Sequence, residues 1–223
     1  MTAQNTEIEW HQQGVPVSRA FDDPYYSLEN GLAETRHVFL AGTGLPERFR
    51  PDFQIAELGV GTGLNLCAAY ALWRESGQSG TLRYIGFEAY PLSPEEMETA
   101  LRSFPEICDV CDAVIAALQA DEERITLPDL DARIVVGDAR DTLPGWDGMA
   151  DAWFLDGFAP ARNPELWEPD LIAAVAAHTA PGGRCATYTA AGTVRRGLAE
   201  AGFEVSRVPG FGRKRHMTLG RLA

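Results

Sequence analysis

Basic residues are scarce in this chain. Only 19 Lys and Arg stand against 32 Asp and Glu, and the formal net charge at pH 7 is −13. That balance excludes a protein coated in positive surface of the kind that grips nucleic acid over a whole face. No apolar run reaches the ~18 residues of a membrane span. The opening segment, Met1 to Trp10, is polar and acidic, which is not the pattern of a secretory leader, so the expected location is the cytoplasm, away from any membrane. Cysteine is limited to Cys67, Cys108, Cys111 and Cys185. Cys108 and Cys111 form a C-x-x-C pair, but no second C-x-x-C or H-x-x-x-H completes a four-ligand zinc site. The pair also falls in a helix-like stretch, whereas a redox pair belongs just after a strand. Free thiols and no metal are the expectation.

What is present suits a single α/β domain with a modest elaboration. The 223 residues are 45% hydrophobic, enough to bury a real core. Charge is unevenly placed. Residues 184–223 hold eight Lys and Arg against only Glu200 and Glu204. A basic end on an acidic body suits a local anionic contact, such as one face of a folded RNA, and equally suits solvated helix and strand surface.

Residues 1–50 do not open like a doubly wound sheet. Ile8 to Trp10 and Val15 to Val17 read as a hairpin around Gly14, Phe21 to Tyr26 as a turn followed by aromatics, and Asn30 to Leu40 as a helix. This stretch is expected to be an extension packed on a main domain of residues 51–223. There the pattern becomes regular. Strands are expected at Phe53–Leu58, Leu82–Glu88, Ile134–Val136, Ala152–Asp156 and Arg184–Thr189, with a closing pair at Phe203–Val208 and His216–Leu222. Helices alternate with them: Leu64–Glu75, one begun by Ser93-Pro94-Glu95-Glu96, one capped by Asn163-Pro164-Glu165 and running to about Thr179, and Val194–Ala201. The alternation predicts a Rossmann-like, mostly parallel seven-stranded sheet whose last strand runs antiparallel.

Ligands of such sheets bind at the carboxyl ends of the strands, near the switch point of the strand order. Four loops fall there. In Glu57-Leu58-Gly59-Val60-Gly61-Thr62-Gly63-Leu64-Asn65 the glycines follow G-x-G-x-G, not the G-x-x-G ending of a dinucleotide turn. The leading acid would repel a pyrophosphate and suits the cationic sulfonium and ammonium of S-adenosylmethionine. Thr62, Gly63 and Asn65 complete the expected contacts of this turn. Glu88 can accept both hydroxyls of a ribose. Asp138 can accept from an adenine amino group, with Ala139 beside it. Asp156, after a very hydrophobic strand, occupies a place where an isolated carboxylate is costly. It is the candidate to hydrogen-bond a nucleophile beside the methyl donor.

The run Asp151 to Pro164 resembles the methyltransferase of the MnmC/MnmD family. So do Pro16-Val17-Ser18-Arg19, Gly31 to Arg36, Val194 to Leu198 and Gly210 to Arg215. The resemblance implies a class I S-adenosylmethionine-dependent fold and N-methylation of the 5-aminomethyl group of 5-aminomethyl-2-thiouridine at the tRNA wobble position. It lends Glu57, Gly59, Gly61, Glu88 and Asp138 to the cofactor, and Asp156 to the amine. In many bacteria this domain is fused to a flavin-dependent oxidase, so the chain is expected to be a stand-alone enzyme or an excised domain, with a separate oxidase as candidate partner. Phe158, Tyr188 and Phe211 are candidates to stack on a flipped-out base, and otherwise belong to the core. Arg195, Arg196, Arg213, Lys214 and Arg215 are candidates for phosphate contacts. Three alternatives stay open: methylation of a small-molecule or protein amine, a nicotinamide-dinucleotide oxidoreductase, and a non-catalytic RNA-binding module.

Overall fold

A computed structural model describes residues 8–11, 14–121 and 123–223. The expectation about a leader falls mainly on residues 1–7, outside the described residues. The chain opens with a small antiparallel sheet of β1 (Ile8–Trp10), β2 (Pro16–Ser18) and β3 (Asp23–Pro24). Asn30 then caps α1 (Gly31–Thr35) by accepting from the Ala33 amide at 2.9 Å. The expected helix to Leu40 does form, but from Arg36 to Ala41 it widens into a π turn. Val38, Phe39 and Leu40 there are buried, and Phe39 lies 5.4 Å from Phe154.

The main sheet is laid down by β4 (Gln54–Leu58), α2 (Leu64–Ser76), β5 (Leu82–Glu88), α3 (Pro94–Leu101), α4 (Cys108–Ala120), β6 (Arg124–Leu127), β7 (Leu130–Val136), α5 (Ala139–Thr142), β8 (Ala150–Leu155), α6 (Pro169–Ala177), β9 (Thr179–Thr187), α7 (Gly192–Glu200), β10 (Phe203–Pro209) and β11 (His216–Leu222). The strand order is β10-β11-β9-β8-β4-β5-β7-β6. β4 pairs in parallel with β5 on one side and β8 on the other. The chain therefore moves outward from β4, then crosses back to β8, and the crevice between those two strand ends is the switch point. β8 is buried along its whole length, as a central parallel strand covered on both faces must be. β11 runs antiparallel to both β9 and β10. The mostly parallel α/β sheet with an antiparallel final strand is as the sequence predicts.

Three details differ. The sheet has eight strands, not seven. β6 and a longer β7 make an edge hairpin, in which Leu130, Ala132 and Ile134 alternate with charged Asp131 and Arg133, leaving only a thin apolar signal. The helix expected to run unbroken from Asn163 is split. A short 3₁₀ turn, Pro164–Trp167, comes first; Pro169 holds Glu168 extended, and α6 starts from there. Finally, β9 begins at Thr179, five residues early, running through Pro181-Gly182-Gly183 with a register irregularity against β8. Ser93 and Glu96 form the reciprocal cap at the start of α3 that their spacing indicates.

Candidate active site

A cavity of about 900 Å³ opens at the carboxyl ends of β4, β5 and β8, within the size range of small-molecule sites. Its floor is the glycine turn. The amide of Gly61 donates to Glu88 Oε2 at 2.9 Å, and the Tyr90 amide to Oε1 at 2.8 Å. Burial pushes the Glu88 carboxyl above its usual range, and these amides oppose the push. Gly59 approaches the Asp156 carbonyl so closely that a Cβ would overlap it. The Asp156 amide in turn donates to Leu58 O at 3.0 Å. The first and fourth loops thus form one backbone unit.

Glu57 takes a different place from the one its sequence position suggests. It is fully buried and does not border the cavity. Its Oε2 accepts from the Tyr84 hydroxyl at 2.5 Å and its Oε1 from Asn65 Nδ2 at 2.6 Å. Desolvation, then the nearby Asp156 charge, drive its carboxyl well above the normal range. The same Asn65 Nδ2 donates to Asp156 Oδ2 at 2.7 Å, and Asn65 Oδ1 accepts from Thr35 at 2.8 Å. Asp156 borders the cavity and is half-buried. Desolvation pushes its pKa up to about 7; Asn65 and the Lys214 cation oppose this, while Glu34 and Asp23 add to it.

The other candidates divide. Gly59, Gly61, Thr62, Asn65 and Glu88 line the cavity, whereas Gly63 stands behind it at the start of α2. Asp138 and Ala139 also line it. The Asp138 carboxylate, however, is taken by Arg140 at 2.7 Å, so an adenine amino group would share or displace that partner. Phe158, Tyr188 and Phe211 all border the cavity. Phe158 stacks on Phe21 at 4.6 Å, and the Tyr188 hydroxyl holds Gly157 O at 2.7 Å. Arg195, Arg196 and Arg215 stand outside the cavity, but Arg213 and Lys214 are in its wall. Neither of these two is a bare surface charge: Arg213 pairs with Glu29 at 3.0 Å and Lys214 with Glu34 at 2.8 Å. Lys214, the only lysine in the chain, also lies 4.0 Å over the Tyr188 ring.

Several cavity residues come from the first 50 positions and carry no local sequence signal beyond a turn followed by aromatics. The Tyr25 ring packs on Gly61 and meets Phe158 edge-on at 5.1 Å. Asp23 Oδ2 accepts from the Ala159 amide at 2.9 Å, and Arg162 donates to Phe21 O and to Asp22. Glu29 and Glu34 are further acids of this wall. The C-x-x-C pair is split, with Cys108 exposed and Cys111 buried against Cys67 on α2. Among the described residues no group of three or more His, Cys, Asp or Glu could hold a metal ion, and no helix is long and apolar enough to cross a membrane.

Residues 104–223 match a family model described as S-adenosyl-L-methionine-dependent methyltransferase, and the chain belongs to that family. It is 49% identical over 216 residues to the tRNA 5-methylaminomethyl-2-thiouridine biosynthesis bifunctional protein MnmC of Caulobacter vibrioides, covering 93% of this chain and 36% of that one. The protein of the same name from Stutzerimonas stutzeri is 42% identical over 230 residues, covering 98% and 35%. The chain thus spans little more than a third of the length of these relatives. The solved structure of MnmC2 from Aquifex aeolicus matches with a TM-score of 0.79 at 26% identity, over 99% of this chain and 72% of that one.

S-adenosylmethionine is the cofactor of this family, and the residues present fit it. The glycine turn brings backbone to the cavity floor, Glu88 ends the next strand where a carboxylate could accept from ribose hydroxyls, and Asp23, Glu34, Glu88 and Asp156 give the walls the negative character that suits a sulfonium and an ammonium.

Proposed function

We propose that this chain N-methylates the 5-aminomethyl group of 5-aminomethyl-2-thiouridine at the tRNA wobble position, giving 5-methylaminomethyl-2-thiouridine. The observation that carries the reading is Asp156. One of its oxygens is held by Asn65. The other, Oδ1, accepts no hydrogen bond among the described residues and belongs to a side chain on the cavity wall. The names of the relatives supply the substrate. Aromatic walls at Phe158, Tyr188 and Tyr25 suit an unstacked base.

When bound, S-adenosylmethionine supplies a methyl group on a cationic sulfur, which departs with the bonding electron pair as a neutral thioether. Asp156 and the cavity walls supply alignment and proton handling. An alkylammonium resembling lysine has a pKa of ~10 and no free lone pair. Asp156 Oδ1 accepts an N–H proton, so that the lone pair is available to the methyl carbon. A base at about 7 is near the working pH, where general-base catalysis is most effective. Each unit by which the amine exceeds it costs about 1.4 kcal/mol, and attachment to an electron-poor ring reduces that gap.

The cationic residues outside the cavity, Arg195, Arg196 and Arg215, are suited to phosphate contacts of the tRNA. A flavin-dependent oxidase, as a separate chain or as further sequence, is the partner this reading implies, and a tRNA substrate implies the cytoplasm. The test is incubation with S-adenosylmethionine and tRNA bearing the free aminomethyl group, followed by nucleoside mass spectrometry. Conversion of the aminomethyl nucleoside to its mono-methylated form is expected. An unaltered nucleoside pool, with methyl transfer to a protein or small amine instead, refutes the assignment.

A further inference from the structure

Asn65 follows the glycine turn at the start of α2, and its side chain amide is held by other side chains of the protein. Three contacts engage both of its amide hydrogens and its oxygen: Nδ2 gives one hydrogen to Glu57 Oε1 at 2.6 Å and one to Asp156 Oδ2 at 2.7 Å, while Oδ1 accepts from Thr35 at 2.8 Å. The amide orientation is dictated by these partners. Asp156 and Glu57 both turn oxygens toward Nδ2, and the Thr35 hydroxyl donates to Oδ1; the flipped amide would set its oxygen beside the oxygens of both acids. Both Thr35 and Asn65 are buried, so no water competes freely for these sites.

We propose that Asn65 is the positioning residue of the methyl transfer. It fixes Asp156 with one oxygen tied back and the other presented to the amine, and it separates Asp156 from the buried acid Glu57. This rests on the base role of Asp156 given above. The consequence is electrostatic as well as geometric. An N–H donated to a carboxylate favours its charged form. Charged groups of three elements act on Asp156, namely Asp23 from β3, Glu34 from α1 and Lys214 before β11, and the Asp156 charge in turn raises the pKa of Glu57 in β4, Tyr84 in β5 and Tyr188 after β9. Asn65 is the residue that touches the Asp156 carboxylate directly through a hydrogen bond.

Two measurements test this. In single-turnover methyl transfer, the acidic limb of the pH–rate profile should rise by about one pH unit in Asn65→Ala, so that the rate falls about fivefold at pH 7 and recovers toward wild type as pH rises. Thr35→Val leaves the amide in place but removes its orienting donor, and should shift the limb in the same direction by about a third as much. Independently of any substrate, the carboxyl ¹³C resonance absent from Asp156→Asn should titrate at higher pH in both variants than in the wild-type protein. If Asn65→Ala and Thr35→Val lower the rate equally at every pH and leave the carbon titration unmoved, the side chain is merely structural and the proposal falls. Should Asn65→Ala not fold, Thr35→Val decides alone by the same two readouts. Failure of the base reading looks different: Asp156→Asn would keep its turnover, whatever the carbon titration of Asp156 does.

Discussion

Adding a methyl group at Gly59 should damage catalysis far more than adding one at Gly77, although both glycines occupy the left-handed region, at φ +81° and +66°. A side chain in that conformation costs about 1 kcal/mol at either position. Gly77 ends α2 and has nothing within 4 Å of the place its Cβ would occupy. Gly77→Ala should therefore lose only that amount in urea unfolding and keep turnover within about twofold of wild type. At Gly59 the new carbon falls on the carbonyl oxygen of Asp156, a backbone atom that cannot swing aside. The loop must retreat by about 1 Å, and a displacement of that size at reacting groups costs on the order of 10²-fold in rate. Packing strain should add a further ~1–3 kcal/mol of lost stability. Single-turnover methyl transfer at saturating tRNA and cofactor, with urea melts of both variants, separates the cases. Should Gly59→Ala turn over within threefold of wild type, or Gly77→Ala lose as much, the close approach of the two loops does not set the site.

Asp156→Asn should abolish most turnover while leaving S-adenosylmethionine affinity, read by calorimetry, nearly unchanged; equal loss of both would remove Asp156 from the amine and place it at the cofactor. The same substitution should stabilise the fold in a pH-dependent manner. Asp156 has a folded pKa of about 7 against a normal 3.8, so its stability contribution is lost as pH rises from about 4 to 7. The gain from Asn should thus be small at pH 4, grow through that window and level off above it, as urea melts at a series of pH values would show. Lys214→Met removes a cation that holds the Asp156 pKa down, so the acidic limb of the rate profile should move to higher pH; an unmoved limb would confine Lys214 to its pair with Glu34. Replacing Arg195, Arg196 and Arg215 together by Ala should weaken tRNA binding and reduce the slope of log affinity against log salt by up to about 3. A slope equal to wild type would take these arginines off the RNA.

Long periodic segments were legible from sequence because their signals are local. The strand at Leu82–Glu88 has the predicted bounds, and the start of α3 follows from four residues. The missed β6 has only Ile125 buried, too little for a pattern, and the split before α6 turns on how Pro169 acts on Glu168. Of the site, the four loops were legible because glycine and acid spacing is also local. The assignment of Glu57 to direct contact was not supported, because the Tyr84 and Asn65 bonds that turn its carboxylate away from the cavity come from other elements. Lys214 read as one more surface cation, since nothing near it in sequence announces Glu34 or the Tyr188 ring. Asp23 and Tyr25 were invisible for the same reason: their partners, Ala159 and Gly61, lie far along the chain.

The hydroxyl of Thr35 that completes the Asn65 amide belongs to the first sixth of the chain, and the ammonium over Tyr188 to its last tenth. During synthesis the chain emerges from its N-terminus. The acid, its amide brace and its neighbouring cation therefore meet only when the C-terminal hairpin has docked. The cluster around Asp156 thus depends on segments far apart in sequence, and methyl transfer would report on their docking as well as on the chemistry.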